Sequence, residues 1–389
     1  MTTHDNRRTF TLVQGAALAV TAALALAACG SSGSDAGTSS SAGSSTTASA
    51  AQTRVTEALK PIESIPLSLQ PLSSGAADLT GKTIVVVPLA AEIFSAWLPS
   101  FEEALKPTGA TIEICDGKGI PSQMSSCIEQ APALGADAVV TIAVSPTIAG
   151  NAYKELQAKG IPTFVGFQNA EGTAETETLR FGDSVPALEA GLRLSSDYIL
   201  SKVKDPNILV LGTSDSPPAQ KVSATTTAEL KKDCNGCSIV SKLLSSAQAN
   251  QATALTSSQL LIDPRINAVS IFNADQWASG VLEGMRGAGK TSGVVVGGPA
   301  SGLASMQLLQ KKQLTYVAML SPSYQSWVLA DGILRLLDGK PAATYPPVTR
   351  LFDASNVAGV EASPATAGTF DWFGTPVYQD EFRTSWGLS

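Results

Sequence analysis

Short apolar runs rich in β-branched residues alternate with longer amphipathic segments along most of the chain. In the first half, four runs have the composition of buried strands, at 83–87, 111–114, 138–143 and 162–166. The segments between them have helical patterns, at 94–105, 122–134 and 149–158. Apolar strands that alternate with amphipathic helices are typical of a parallel sheet covered on both faces.

The alternation starts again after about Asp183 and predicts a second unit of the same kind. Its predicted strands are 207–211, 239–243, 268–272 and 293–297. Its predicted helices are 188–202, 219–231, 248–261 and 277–287. The pattern therefore predicts two doubly wound α/β units, and 389 residues are enough for two domains. Residues 54–81 have no regular pattern, and the tail from about Thr344 is expected to wrap around the surface.

The first thirty residues have the pattern of an export signal. Arg7 and Arg8 precede an apolar run from Ala16 to Ala28, which is too short to cross ~30 Å of hydrocarbon. The run ends in Leu-Ala-Ala-Cys, which resembles the lipobox of bacterial lipoproteins and predicts lipidation of Cys29 after removal of residues 1–28. An ordinary secretory signal with an incidental cysteine is the alternative. The paired arginines fit both twin-arginine and general secretory export.

The segment after the predicted lipidation site is almost entirely Ser, Gly, Ala and Thr. Such a composition buries little apolar surface, so residues 29–53 are expected to be a flexible tether. No later stretch approaches 18 consecutive apolar residues, so the lipid at Cys29 is the predicted membrane attachment. We therefore expect an exported body held at the outer face of the bacterial cytoplasmic membrane.

Charge and histidine content exclude several classes of function. The formal net charge of −7 argues against nucleic acid or anionic lipid as the main partner, because both need a basic surface. The only histidine, His4, lies in the predicted signal peptide. The remaining chain has no histidine for a general base, a nucleophile pair or a metal site. We expect a protein without catalytic residues, metal or cofactor, and not an enzyme.

The four other cysteines are expected to form two disulfides in an oxidising compartment. Cys115 ends a predicted strand and Cys127 lies in the next predicted helix, so we pair them. Cys234 and Cys237 have C-x-x-C spacing, which also fits a redox-active pair. Their place after a helix, around an Asn-Gly turn, favours a structural cross-link.

Residues 284–291 fit the P-loop pattern G-x-x-x-x-G-K-[ST]. A P-loop needs a strand before it and a helix after it, so that backbone amides face the phosphates. Here a predicted helix precedes the motif and a predicted strand follows it. Nucleotide hydrolysis is therefore not expected.

Four stretches share their order and spacing with one known family. They are Leu134 to Val140, Ala158 to Pro162, Asp263 to Ala278 and Val294 to Gly297. Together they resemble type I periplasmic binding proteins, the ribose-binding-protein-like solute receptors of ABC importers. The resemblance covers roughly residues 82–345.

This resemblance implies two Rossmann-like lobes joined by a three-segment hinge, with a ligand cleft at the carboxyl ends of the strands. Lobe one is expected at 82–182 plus 320–345, and lobe two at 183–319 with the tail 346–389. The function implied is solute capture for an ABC permease by a monomeric, lipid-anchored receptor. A sensor that signals through a membrane partner is an alternative.

The expected ligand site departs from the sugar-binding pattern of the family. Sugar receptors have an aromatic pair where this chain has Ile93 and Phe94. Polar positions of the family are replaced at Ala91, Phe167, Gln168, Ala274, Pro299 and Met319, although Asp275 is retained. Unpaired sugar hydroxyls cost ~1–3 kcal/mol each on burial, so these changes predict a ligand with apolar or aromatic surface. A carbohydrate receptor is the alternative.

Residue by residue, the expected site has an apolar and a polar part. The apolar contacts are assigned to Phe94, Trp97, Phe167 and Met319. The hydrogen bonds are assigned to Ser145, Gln168, Asp215, Gln220 and Asp275. For Trp97, a position in the core is the alternative, because Trp97 and Phe101 have helical spacing.

Overall fold

The computed structural model describes residues 41–170, 172–182, 185–215 and 217–388. The predicted signal peptide, the predicted lipidation site Cys29 and the start of the predicted tether lie outside these residues. Among the described helices, none is long and apolar enough to cross a membrane.

A five-stranded parallel sheet forms the centre of lobe one, with strand order β2-β1-β3-β4-β5. Its strands are β1 (Thr83–Pro88), β2 (Thr111–Ile114), β3 (Ala138–Ile142), β4 (Thr163–Gly166) and β5 (Leu179–Gly182). The helices that connect the first four strands are α2 (Leu98–Leu105), α3 (Pro121–Gln130) and α4 (Pro146–Ala158). Every residue of β3 and β4 is buried, because helices cover both faces of the sheet.

A six-stranded sheet forms the centre of lobe two, with strand order β11-β10-β9-β8-β6-β7. Its strands are β6 (Asn207–Thr213), β7 (Ser238–Leu244), β8 (Ala268–Ile271), β9 (Val295–Ala300), β10 (Tyr316–Leu320) and β11 (Thr349–Asp353). All are parallel except β11, which runs antiparallel to β10. Its helices are α5 (Val185–Lys202), α6 (Pro217–Asp233), α7 (Ala252–Ile262), α8 (Ala274–Gly287) and α9 (Leu303–Gln310).

One helix returns to lobe one from the end of lobe two. Helix α10 (Pro322–Leu337) follows β10 directly, but it packs on α2 and on strands β4 and β5. The helix approaches the sheet closely at Gly332, where an added Cβ would lie 2.2 Å from the Phe164 ring. The chain thus passes between the lobes after β5, after β10 and after α10, which are the three connections that the family resemblance implies.

The predicted tether differs from the structure over residues 41–53. Helix α1 (Ser41–Ala58) extends through the second half of that segment. It packs on α5, where Ala51 and Val55 are fully buried one turn apart, and Arg54 forms a bidentate ion pair with Asp197. Tertiary packing therefore orders a sequence whose composition alone favours a flexible chain.

The C-terminal tail lies only in part on lobe two, where β11 joins the sheet. Helix α11 (Tyr378–Trp386) packs on α10 of lobe one, and the Trp386 and Trp327 rings stack there with centroids 5.4 Å apart. The N-terminal segment after α1 runs beside the tail, since Ile62 pairs with Gly374 and the Leu72 N–H donates to the Ser385 carbonyl. The N-terminal segment after α1 and the C-terminal tail therefore pack against each other, and together they contact both lobes.

The P-loop-like segment has the predicted order of neighbouring elements. It overlaps the end of α8 and precedes β9, and the Lys290 N–H donates to the Met285 carbonyl as part of the helix end. Gly284 and Gly287 therefore lie in the last turn of α8, and Gly289, with a φ of 73°, lies in the loop before β9. The segment ends a helix, whereas a P-loop begins one.

Candidate functional site

Three aromatic side chains meet at the carboxyl edge of the lobe-one sheet. Phe94 lies in the loop after β1 and Trp97 immediately precedes α2, while Phe167 follows β4. The Trp97 and Phe167 ring centroids are 4.8 Å apart, and the Phe94 centroid lies 5.8 Å from Trp97 and 6.2 Å from Phe167. The structure thus brings together Phe94, Trp97 and Phe167, which the sequence assigned to one ligand site; that assignment stays a prediction. We call these residues the aromatic cluster.

Helix α10 holds the backbone of the aromatic cluster at Trp97. The Ser326 hydroxyl of α10 donates to the Trp97 carbonyl over 2.8 Å. Trp97 and Phe94 are only 5% and 8% exposed, and both belong to the buried core. Trp97 therefore has the core position that was its alternative, and its ring also contacts Phe167.

The backbone around this edge contains unusual conformations. Lys118, Ala143 and Phe167 have positive φ angles of 52°, 60° and 59°, although none is glycine. They follow β2, β3 and β4 respectively, at the same edge of the sheet. A positive φ angle is energetically unfavourable for a residue other than glycine. Such conformations concentrate at binding sites, where surrounding contacts hold them in place.

Asp116, a residue that the sequence did not identify as part of the site, lies directly beside the loop that carries Phe94. Its Oδ1 accepts hydrogen bonds from the Ala91 N–H and the Lys118 N–H at 2.8 and 2.9 Å. These two bonds, with the Ala91 bond the stronger cause, lower the pKa of the Asp116 carboxyl below its ordinary value. The signal for this residue was its place directly after a strand, in the turn-forming sequence Asp-Gly-Lys-Gly.

The glycine after Asp116 allows this loop to approach β1. An added Cβ at Gly117 would lie 2.7 Å from the Pro88 and Leu89 carbonyl oxygens, which is too close for a side chain. The Gly117 and Gly119 N–H groups donate to those same two carbonyls. The Asp116 carboxylate is therefore held at the end of β1 by backbone contacts.

Two polar groups of the edge have no protein partner within the part of the chain that the structure describes. One is the indole N–H of Trp97, and the other is the side-chain amide of Gln168, which follows Phe167. An indole N–H in a nearly buried ring usually has a partner. These two groups, with the Asp116 carboxylate, can therefore offer both donors and acceptors to a bound solute.

Ser145 has a structural contact that its sequence position did not reveal. Its hydroxyl caps the N-terminus of α4 by accepting from the Thr147 N–H, and it also bonds the Thr147 hydroxyl over 2.7 Å. The residue is almost fully buried. Its polar capacity is thus used by the helix end, and not left open toward a solute.

Asp275 has a similar capping function in lobe two. Its carboxylate accepts from the N–H groups of Ser301, Gly302 and Ser305 and from the Ser305 hydroxyl, over distances of 2.7–3.3 Å. These four donors lie at the N-terminus of α9. An acidic side chain there satisfies amides that have no partner within the helix and interacts favourably with its dipole. The predicted hydrogen bond from Asp275 to a ligand therefore competes with four existing bonds.

The remaining predicted residues of lobe two differ in exposure. Asp215 and Gln220 are exposed after β6, and the Gln220 amide donates to the Ser214 carbonyl over 3.0 Å. Met319 is fully buried in the core, within β10 between β9 and β11. The structure places Asp215 and Gln220 at the carboxyl end of β6, and it places Met319 inside the sheet core rather than at an open edge.

The cysteines lie close together in the predicted pairs. The Cα atoms of Cys115 and Cys127 are 5.6 Å apart, and those of Cys234 and Cys237 are 5.5 Å apart. Both separations are in the range that a disulfide spans. The first pair connects the end of β2 to α3, directly beside Asp116.

Comparison with solved structures shows the same fold in bacterial solute-binding proteins. A protein from Mycobacterium smegmatis in complex with β-D-fucofuranose is 20% identical, with a TM-score of 0.58, and the match covers 79% of this chain and 98% of that one. A periplasmic ribose ABC transporter protein from Conexibacter woesei is 13% identical, with a TM-score of 0.61 and coverage of 75% and 98%. An ABC transporter solute-binding protein from Bacillus halodurans with bound myo-inositol is 15% identical, with a TM-score of 0.58 and coverage of 72% and 97%.

Sequence comparison identifies the family independently. No curated protein matches the chain significantly in sequence. The model of the periplasmic binding protein domain matches residues 84–341, which include both sheets except β1's first residue and β11. The resemblance to type I periplasmic binding proteins is thus confirmed. The chain belongs to the periplasmic binding protein family, whose members bind solutes rather than transform them.

Proposed function

We propose that this protein is the extracytoplasmic solute-binding component of an ABC importer and that its solute is a small neutral carbohydrate or cyclitol. The family match over residues 84–341 supports the binding function. The aromatic cluster beside Asp116 is the observation that supports the solute class. Apolar ring faces stack on the C–H faces of a carbohydrate, and a carboxylate accepts strong hydrogen bonds from hydroxyls.

This proposal replaces the expected apolar ligand with the carbohydrate alternative. The expectation of an apolar ligand came from polar family positions that this chain lacks, and it did not include Asp116. The edge has three polar groups, which are the Asp116 carboxylate, the Trp97 indole N–H and the Gln168 amide. Together they provide hydrogen-bond donors and acceptors. The structures of similar fold include proteins with bound β-D-fucofuranose and myo-inositol, which are both neutral polyhydroxy rings.

In this proposal, lobe one supplies the stacking platform and lobe two closes over the bound solute. The carboxyl ends of parallel strands are where open α/β sheets bind ligands, and both sheets have such an edge. Lobe two offers the exposed Asp215 and Gln220 after β6. Hinge closure would bring polar groups of lobe two to the side of the solute opposite the aromatic cluster.

The proposal extends to the maturation of the chain. Lipidation at Cys29 would hold the protein at the outer face of the membrane beside its permease, on a tether limited to the residues before α1. The two close cysteine pairs would form disulfides after export. Mass spectrometry of the protein from a bacterial host would detect a diacylated N-terminal cysteine, and an unmodified residue 29 would contradict the anchor.

Isothermal titration calorimetry against neutral pentoses, hexoses and inositols tests the solute class. We expect one of these compounds to bind with a micromolar or tighter dissociation constant, about −8 kcal/mol or better. Monocyclic aromatic compounds without hydroxyl groups serve as the comparison set. Binding of the aromatic set to the aromatic cluster, with no binding of any carbohydrate, would contradict the proposal.

A further inference from the structure

A cavity of about 250 Å³ lies where the two lobes are connected. Its wall from lobe one consists of β4, the end of β5 and one face of α10, through residues such as Phe164, Phe181 and Val328. Its wall from lobe two is the start of α5, at Pro186 and Ala187. The segment 342–347, which connects α10 to β11, forms the remaining side. We call this space the hinge cavity.

The hinge cavity is separate from the proposed solute site, although one residue contributes to both. Phe167 belongs to the aromatic cluster and also lines the cavity. Phe94, Trp97 and Asp116 do not line it. The Phe167 ring therefore stands between the two spaces.

The lining of the hinge cavity is mainly apolar and uncharged among the described residues. Three phenylalanine rings, three prolines and several aliphatic side chains form most of it, and no described lining residue carries a charge. A charged guest would lose its hydration without gaining a partner from these residues. A neutral molecule with a ring that packs against phenylalanine fits this lining.

Gln325 places a polar group at this apolar wall. The residue lies on α10, lines the cavity and is only 7% exposed. Its side-chain amide has no hydrogen-bond partner within the part of the chain that the structure describes. An amide that lines a cavity without a protein partner can hydrogen-bond to a guest there in place of water. The amide can both donate to and accept from such a guest.

The size of the hinge cavity limits the guest to one ring with a small substituent. An apolar cavity of ~150 Å³ holds benzene, so ~250 Å³ corresponds to about ten non-hydrogen atoms. We infer that the hinge cavity is a second small-molecule site, which takes a neutral monocyclic compound whose single amide or hydroxyl group hydrogen-bonds to Gln325. Both lobes form its walls, so occupancy depends on the angle between them.

Titration of 4-fluorobenzamide, followed by ¹⁹F NMR on the full exported chain, tests this site. The probe has the expected size, one ring and one amide. We expect saturable binding with a dissociation constant of about 1 mM or tighter. The substitution Gln325→Leu should weaken it ~3–10-fold by removing one hydrogen bond. The exposed-residue variant Gln52→Leu is the matched control and should bind the probe unchanged.

Two further arms test whether the probe binds in the hinge cavity itself. Val328→Phe fills the cavity from α10 and should abolish probe binding, with circular dichroism confirming the fold. The charged analogue 4-fluorobenzoate should bind at least ~10-fold more weakly than the amide. Absence of saturable binding, or binding that Gln325→Leu and Val328→Phe leave unchanged, would overturn the inference. Binding that Phe94→Ala alone removes would place the probe at the solute site and would also overturn it.

Discussion

The carboxyl edges of the two lobes use their polar residues differently. In lobe one, Ser145 caps α4, whereas the Asp116 carboxylate, the Gln168 amide and the Trp97 indole N–H are not used by any helix end that the structure describes. In lobe two, Asp275 is occupied by four donors at the start of α9, and the Asn273 side chain caps α8 by accepting from the Gln276 N–H. A polar residue at a strand end is therefore a ligand candidate only when no helix N-terminus uses it.

In the proposed function, this difference divides the work of binding between the lobes. Lobe one would present the stacking surface, close to the positive φ angles of Lys118, Ala143 and Phe167. Lobe two has an edge where the Asn273 and Asp275 side chains stabilise helix ends. Changes in lobe one should therefore alter affinity, and changes in the lobe-two caps should alter stability.

The largest expected effect concerns the cysteine pair beside the lobe-one edge. The double substitution Cys115→Ser/Cys127→Ser would remove the proposed disulfide, whose cysteines are 12 residues apart in sequence, and should lower the free energy of unfolding by about 3 kcal/mol. Solute affinity should also fall, because this pair holds the loop that carries Asp116. Urea unfolding and calorimetry check both effects. The double substitution at Cys234 and Cys237 is the control, and equal loss of affinity there would contradict the division.

The second effect tests the cap in lobe two. Asp275→Ala removes four hydrogen bonds from the start of α9 and should lower the free energy of unfolding by about 2–3 kcal/mol. Asp275→Asn keeps an acceptor oxygen and should lose roughly half as much. Below the unfolding temperature, the solute dissociation constant should stay within about twofold of wild type. A tenfold loss of affinity in Asp275→Asn would show that Asp275 contacts the solute.

The third effect tests the stacking platform. Phe167→Ala removes the ring that contacts Trp97 and should weaken solute binding ~10–30-fold, because buried aromatic contacts dominate binding energies. Phe167→Tyr keeps the ring and serves as the matched variant, with at most a few-fold change. Calorimetry measures both. Equal affinity of Phe167→Ala and wild type would remove the aromatic cluster from the site.

The smallest effect is a dependence of stability on pH. The folded pKa of Asp116 lies below its ordinary value of 3.8, so its charged form stabilises the folded state above that value. This stabilisation is lost as the pH falls through the lowered folded pKa. Asp116→Asn should therefore be less stable than wild type at pH 6, by less than about 1 kcal/mol, and equally stable near pH 2. A stability difference that persists at low pH would contradict this cause.

Sequence reasoning predicted the buried strands better than the short or externally supported elements. Strands β1, β3, β6 and β8 are continuous apolar runs, which the residues alone identify. Strand β5 has four residues after a polar stretch, and its partner is β4. Helix α1 depends on α5, and α11 depends on α10. Elements that need a distant partner leave little pattern in their own sequence.

The candidate site was predicted in part for a related reason. Phe94 corresponds to the aromatic pair of the family, and Phe167 occupies a position that is polar in the family; both follow strands whose ends lie at one edge of the sheet. Ser145 and Asp275 are polar at the expected places, but sequence does not show that helix ends already use their oxygens. Asp116 was missed because its function depends on how the loop at Gly117 folds back on β1.

A crystal structure of the protein with the carbohydrate that binds most tightly in calorimetry would test the central claim most directly. We predict that the sugar ring stacks on the Phe167 or Phe94 ring and that the Asp116 carboxylate accepts from one of its hydroxyls. We also predict that Asp275 keeps its four bonds to the start of α9. A sugar bound away from the lobe-one edge, or held mainly by Asp275, would contradict the account.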